Sequence, residues 1–321
     1  MRKMLGVCVV ILCLLGGVFA QGTKEQGASM ASFPSKPVEA VIGWAAGGGG
    51  DVVFRAIAEV FPKYANGQPL VIKNVPGASG LTGAVEFLNA PADGYTVMHW
   101  NNASITKAVI DKSNITATTF TPVLQVVSSY NYLLVKADSK WKTLADFVKD
   151  AKANPGKITI GNAGTNGGNH VAALLFQKAV GADFVHVPYS GGGPSVTGLL
   201  AGEVDAAMNN APEGVSQIAS GQLRLLAVFS ETRYPSFPNA PTAKESGYDL
   251  ILPQWRGVVL PPKAPKEVVA RLEQIFKQCI EDPDFVKKME SMNVATTYKN
   301  SEDFGKLLVS EETRYKELFN K

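Results

Sequence analysis

The sequence predicts an α/β fold of two lobes, each a mixed, mostly parallel sheet flanked by helices, with a cleft between them. Three observations carry this. Apolar residues recur by turns at strand period and at helical period along almost the whole chain. Glycine-rich loops stand where predicted strands hand over to helices. The first predicted unit holds only three strands, so a segment from the C-terminal end is expected to return and enlarge its sheet.

The chain begins with a segment to be set aside. Arg2 and Lys3 precede an apolar run from Met4 to Leu15, and Val18-Phe19-Ala20 offers small residues where a signal peptidase requires them. Residues 1–20 are therefore expected to be a signal peptide cleaved after Ala20, and residues 21–32 a flexible leader. The run is too short for a stable membrane anchor. Cys8 and Cys13 lack the small polar residues expected after a lipidated cysteine, which favours a soluble exported protein over a lipoprotein.

Composition narrows the remainder. After cleavage only Cys279 is left, so no internal disulfide can form and stability must come from core burial. Loss of Arg2 and Lys3 leaves 29 basic against 28 acidic residues, a net charge of +1. No basic patch with interleaved aromatics occurs, so nucleic acid is not an expected partner. The mature length suits two domains. No later segment is apolar for long enough to cross a membrane, so any transport role must be shared with other proteins.

The first unit reads as strand 38–44, helix 51–64, strand 70–73, helix 80–89 and strand 95–100, with Asp93-Gly94 as the turn before the last strand. A crossing segment follows near 123–135. The second unit then reads as helix 143–153, strand 157–161, helix 169–180, strand 184–188, helix 194–201, strand 204–208, helix 212–219 and strand 223–229. A Pro-rich stretch at 235–241, a strand around 255–260 and helices near 266–280, 284–291 and 302–319 complete the chain. These elements imply a discontinuous domain 1 of residues 33–125 plus 230–321 and an inserted domain 2 of residues 126–229. Two chain crossings make a hinge, and ligand sites favour such clefts.

The most informative stretch is Val38 to Arg55, where an alternating strand runs into Gly47, Gly48, Gly49 and Gly50 and then into a helix. Glycines there allow a sharp turn and leave backbone N–H groups unshielded. The helix adds its positive end, so a small anion is the natural guest of those open amides. A triphosphate loop would need Gly-Lys-Ser/Thr, and Asp51-Val52 stand there instead. A dinucleotide fold would need an acidic residue ending the second strand, where Asn74 and Val75 stand. Asp51 reads either as a helix cap or as an acceptor for a ligand hydroxyl or ammonium. Trp44 either walls a pocket or sits in the interdomain core.

Two further glycine loops follow strands of the second unit. Gly161 to His170 offers the side chains of Thr165, Asn166 and Asn169 and the backbone of Gly167 and Gly168 beside a helix start. Pro188-Tyr189-Ser190-Gly191-Gly192-Gly193-Pro194 enters the next helix, with proline suited to its first turn. In open parallel sheets ligands bind beyond the carboxyl ends of strands, where all these loops lie. A fourth segment, Asn74 to Gly80, could border the cleft or be an ordinary turn. His186 reads as a core residue, and His170 as a hydrogen-bonding group near a helix start. Neither a Gly-x-Ser-x-Gly elbow nor a His-Glu-x-x-His pair occurs. Catalysis, a metal and a cofactor are not expected.

These motifs resemble the solute receptors of the tripartite tricarboxylate transporter family, also called Bug or TctC-type periplasmic binding proteins. The carriers are Phe33-Pro34-Ser35-Lys36-Pro37, Trp44 to Gly49 with Asp51 and Arg55, Asn74 with Pro76 to Gly80, and Pro91 to Thr96. Later come Lys142-Thr143-Leu144, Asn154 to Lys157, Gly164 with Gly167 and His170, Val187-Pro188-Tyr189, Leu199 to Gly202 with Val204-Asp205, Pro241-Thr242 and Trp255-Arg256-Gly257. The resemblance runs from about Phe33 to the C-terminus. It implies a monomeric, type II-like receptor that closes on a small organic carboxylate, a di- or tricarboxylate with aromatic ones included. Delivery is then to integral-membrane transporter subunits. Carried onto this chain, it implies ligand contacts from Trp44, Ala46, Gly47, Gly48, Gly49 and Asp51 on one side. On the other it implies Thr165, Asn166, Gly167, Gly168, His170, Tyr189, Ser190 and Asn209. The alternatives are an exported nucleotide-dependent enzyme and a carboxylate sensor partner of a signalling system.

Overall fold

The computed structural model describes residue 30 and residues 32–319. The expected signal peptide, its cleavage site and most of the leader lie outside the described residues.

Alternating apolar residues build β1 (Val38–Ile42), which pairs in parallel with β2 (Leu70–Asn74) on one side and β3 (Thr96–Asn101) on the other. Between them run α1 (Gly49–Tyr64) and α2 (Leu81–Phe87). α1 buries Val53, Phe54, Ile57, Val60 and Phe61 on one face, the stripe its spacing predicts. β9 (Pro253–Leu260) returns from late in the chain and pairs antiparallel with β3, completing the first lobe's sheet as expected.

β4 (Thr121–Lys136) joins the lobes. Its first part, through Tyr130, pairs with β9, and from Asn131 onward it pairs with β7 (Ala206–Asn210) and β8 (Leu223–Val228). The segment expected only as a crossing is thus one long strand that changes partners midway. In the second lobe β7 leads in parallel to β5 (Thr159–Asn162) and β6 (Val185–Pro188). Its helices are α4 (Leu144–Ala153), α5 (Gly168–Val180), α6 (Gly192–Ala201) and the short α7 (Val215–Ala219). The Thr143 hydroxyl and the Asp146 carboxylate form a reciprocal capping box that starts α4. The C-terminal helices α8 (Lys266–Glu281), α9 (Pro283–Ser291) and α10 (Ser301–Phe319) cover the first lobe. Phe276 packs its ring 5.4 Å from that of Phe61 on α1.

Three further elements differ from expectation. Helix α3 (Asn102–Ile110) stands where no helix was read; the Asn101 side chain caps it by accepting from the Ser104 amide at 3.0 Å. Strand β10 (Ala295–Lys299) was also unforeseen; its polar residues suit the place it takes beside β4, with mostly exposed side chains. The helix expected over 212–219 begins only at Val215, because Gly214 adopts φ +78° and breaks the turn before it. Residues 212–214 are left as a loop, and that loop carries Glu213 into the cleft.

Candidate functional site, an interlobe cleft

The first glycine loop does not present a row of open amides. Gly47, held at φ +77°, donates its N–H to Asp51 Oδ2 at 2.9 Å, and Gly48 donates to the Ala45 carbonyl at 3.2 Å. The Gly49 N–H donates across the cleft to Glu213 Oε1 at 2.9 Å. The expectation of bare main-chain amides is therefore corrected: two are used locally, and the third is held by a carboxylate of the other lobe.

Asp51 is a structural residue of that loop. Its carboxylate accepts from Gly47, from Arg55 Nε at 2.9 Å and from Asn74 Nδ2 at 3.0 Å. Burial pushes its pKa up, but these donors and the Arg55 charge outweigh it and hold the acid below the usual carboxylate range. Its three partners all lie within its own lobe, so the carboxylate braces the loop against the first turn of α1.

Around Gly49 lies a polar cluster that sequence reasoning did not assemble. Glu213 Oε2 accepts from Asn209 Nδ2 at 2.9 Å and from the Asn210 amide at 3.3 Å. The backbone of Glu213 is pinned as well, its N–H donating to the Asn210 carbonyl at 2.9 Å and its carbonyl accepting from the Tyr132 hydroxyl. From β9 the buried Arg256 donates through Nη2 to Asn210 Oδ1 and through Nη1 to Ser129 Oγ at 3.3 Å. Its Nε finds no partner among the described residues. Burial lowers the guanidinium's pKa from its ordinary value, and the charge of Glu213 opposes that shift. A Cβ on Gly49 would collide with Arg256 Nη2 and approach Glu213 Oε1 to 3.2 Å, so only glycine lets the two side chains meet the helix start.

The cavity enclosed here measures about 20 Å³, and it is lined by Trp44, Gly48, Gly49, Gly50, Asn101, Ala103, Ala163, Asn169, Gly192, Asn210, Glu213, Gln254 and Arg256. A single water needs roughly 10–15 Å³ on this measure, so the lobes are closed onto one another. Other contacts across the cleft agree. The Ala45 amide donates to the Ser190 carbonyl at 3.4 Å, Ser79 Oγ to the Thr165 carbonyl at 3.0 Å, and Asn166 Nδ2 to Asp111 Oδ1 at 3.3 Å.

Of the residues expected at the site, Trp44, Gly48 and Gly49 line this cavity. The indole of Trp44 is buried and stands in the wall of the cavity. Ala46 and Gly47 of the first loop are exposed and lie outside the cavity lining. Thr165 and Ser190 reach the opposite lobe through their carbonyls, and Gly167 closes on Ser79, where a Cβ would lie 2.8 Å from its hydroxyl oxygen. A Cβ on Gly168 would stand 2.7 Å from Gln254 Nε2, which places that glycine against the cavity wall. Asn209 lies beneath the cavity, tying Glu213 to the Gly192 carbonyl at 3.1 Å. Tyr189 turns away, its hydroxyl donating to Glu203 at 2.9 Å.

The histidines take other roles. His170 Nδ1 accepts from the Asn166 amide at 3.0 Å, and its ring stands edge-on to His186, centroids 5.0 Å apart. Burial, then His186 and Lys107, push His170 down to about 4. His186, expected in the core, is only half-buried, because β6 lies at the sheet edge. His99 is fully buried behind Gly50 with neither ring nitrogen partnered; burial, with the Arg256 charge, pushes it down to about 3.

Glu213, Arg256, Asn101, Asn210 and Gln254 were not foreseen as site residues. The legible signals were an arginine inside the apolar strand 253–260 and an Asn-Asn pair ending β7. Among the described residues no group of histidine, cysteine and acidic side chains could hold a metal ion.

Comparison with known proteins sets this geometry in context. Residues 53–321 match the family described as the tripartite tricarboxylate transporter family receptor, TctC. The chain is 30% identical over 295 residues to a Cupriavidus necator protein, the "UPF0065 protein in gbd 5'region", covering 90% of this chain and 88% of that one. Among solved structures it resembles the periplasmic binding protein BugD, with a TM-score of 0.85 at 28% identity over 90% of this chain and 98% of that one. It also resembles an R. palustris protein solved with adipate, with a TM-score of 0.84 at 26% identity over 89% and 96% of the two chains. The two-lobed architecture is that of the periplasmic binding proteins. The chain belongs to the tripartite tricarboxylate transporter receptor family, the Bug or TctC family of solute-binding receptors.

Proposed function

We propose that this protein is a periplasmic receptor, exported by its signal peptide, which captures a small organic carboxylate between its lobes and delivers it to the membrane subunits of a tripartite tricarboxylate-type transporter. The observation that carries the reading is the junction at Gly49. There a helix N-terminus beside a buried guanidinium already holds a carboxylate, that of Glu213, at 2.9 Å. A helix start and an arginine both favour a carboxylate, the one through its N–H groups and dipole, the other through charge and hydrogen bonds.

The work of the site is recognition without chemistry. When the lobes part, Gly49 and Arg256 stay with the first lobe, while Glu213, Asn169 and Asn210 stay with the second. A ligand that grips both faces favours the closed state, because only differential affinity can shift the balance between open and closed. The moving bodies are proposed as residues 33–125 with 230–321 and residues 126–229, with β4 shared between them. The relative solved with adipate supports the ligand class. The protein is proposed to act as a monomer. Its expected contacts, Trp44, Ala46, Gly47, Gly48, Gly49 and Asp51 on one side and Thr165, Asn166, Gly167, Gly168, His170, Tyr189, Ser190 and Asn209 on the other, are proposed to be made in part through backbone atoms and the polar cluster.

Thermal unfolding with a panel of di- and tricarboxylates, aromatic ones included, tests the reading. One should stabilise the protein by about 2.7 kcal/mol at a hundredfold excess over its dissociation constant. If none stabilises it while a nucleotide does, the enzyme reading replaces this one.

A further inference from the structure

Among the described residues, the carboxylate of Glu213 is the one acidic group lining the cavity, and Arg256 the one basic group. We propose that Glu213 sets the ligand class: the solute is a carboxylate that also carries an ammonium group, which Glu213 receives while Gly49 and Arg256 receive the carboxylate. This rests on the receptor reading above and sharpens it.

The two oxygens of Glu213 have different partners. Oε2 is held within its own lobe by Asn209 at 2.9 Å and by the Asn210 amide at 3.3 Å. Oε1 accepts from Gly49 of the opposite lobe at 2.9 Å. Lobe opening strips Oε1 of that donor and leaves Oε2 engaged. The carboxylate cannot simply follow Gly49 or swing aside. Its backbone is tied to Asn210 at 2.9 Å and to Tyr132, and Gly192 packs so closely against it that a Cβ there would collide with the carboxylate carbon.

A ligand carboxylate that takes the Gly49 N–H therefore meets a fixed anion on the facing lobe. The lining charges of Glu213 and Arg256 cancel, so a plain dicarboxylate would bring two uncompensated negative charges into a closed, poorly solvated space. An ammonium on the ligand supplies Oε1 with the donor it lost and cancels one of those negative charges. A neutral hydroxyl would supply a donor but cancel no charge, so the cation is the better match.

Matched pairs of solutes that differ only in the amine test the proposal by titration calorimetry on the mature protein. Suitable pairs are aspartate with succinate, glutamate with glutarate, 2-aminoadipate with adipate, and phenylalanine with 3-phenylpropionate. The expected result is that the amino member of the best-bound pair binds about tenfold or more tighter than its amine-free twin, because a site that pairs a buried polar group discriminates against a partner lacking it. Glu213→Gln should bring that ratio close to one, and Glu213→Asp should keep part of it, with circular dichroism confirming that both variants fold. An amine-free acid that binds wild type as tightly as its amino twin overturns the proposal, as does a ratio unchanged in Glu213→Gln. Binding by no member of any pair while another acid of the earlier panel stabilises the protein overturns this proposal alone; if no acid of that panel stabilises it either, the carboxylate-receptor reading falls as well.

Discussion

Glu213 Oε1 lies 2.9 Å from the amide nitrogen of Gly49, and the two residues belong to different lobes. A side chain of the protein thus sits where a captured carboxylate is proposed to sit. Four predictions concern the machinery around this contact.

Gly193 lies at the start of α6 on the second lobe, and a Cβ built there would fall 2.8 Å from the carbonyl carbon and oxygen of Gly47 on the first. Both are backbone atoms that cannot give way locally. Gly193→Ala should therefore hinder closure while leaving each lobe folded. Small-angle scattering should show a larger radius of gyration than wild type, and affinity for the stabilising carboxylate should fall by about tenfold, or 1.4 kcal/mol.

Arg256 supplies the positive charge that opposes Glu213 in a buried setting. Arg256→Met should cost about 3 kcal/mol of stability, chiefly because Glu213 is left uncompensated. Adding Glu213→Gln should recover much of that loss without restoring carboxylate binding. Denaturant unfolding and calorimetry on the three proteins separate the two effects. A double variant no more stable than Arg256→Met would show that the pair is not coupled.

His99 carries a pKa pushed down to about 3 from an ordinary 6.5 by burial and the Arg256 charge. A histidine kept neutral in the fold costs nothing above pH ~6.5. Below that the unfolded chain takes up a proton that the folded chain refuses. Stability should therefore fall with pH from about 6.5 down to about 3, by up to about 1.4 kcal/mol per pH unit for this one group. His99→Leu should flatten the slope in a series of urea unfolding curves; an unaltered slope would assign it to other groups, with His170 the next candidate.

Asp51 behaves oppositely in charge but alike in direction. Its folded pKa lies below the ordinary 3.8, so its contribution is present above that pH and is lost as pH falls through the lowered value. Asp51→Ala strands the Gly47 N–H and takes one of two acceptors from the Asn74 side-chain amide, which keeps the Trp44 carbonyl, and should cost about 1–3 kcal/mol at neutral pH. Thermal melts at neutral pH check it. Ligand affinity should change less than stability, since the carboxylate is engaged within its own lobe.

Much of the fold was legible because burial writes its period into the chain. The stripe of Val53, Phe54, Ile57 and Phe61 gave α1, and the alternation from Val38 gave β1. Helix α3 escaped because its first turn, Asn102-Ala103-Ser104, carries no apolar period, and its start depends on a cap from Asn101. The cleft was legible only from its loops. Trp44, Gly48 and Gly49 advertised themselves through glycine content at a strand end. Glu213 and Arg256 could not, since they reach one cavity from positions 43 residues apart and only the return of β9 beside β4 brings Arg256 there. The open amides expected at Gly47 and Gly48 failed for a local reason: a tight turn satisfies its own N–H groups first.

The most direct test is a crystal structure of the protein with the carboxylate that stabilises it most. The account predicts a ligand carboxylate within hydrogen-bonding distance of the Gly49 nitrogen and Arg256, with Glu213 no longer on that nitrogen. A structure in which Glu213 still holds Gly49 while the ligand lies elsewhere would contradict it.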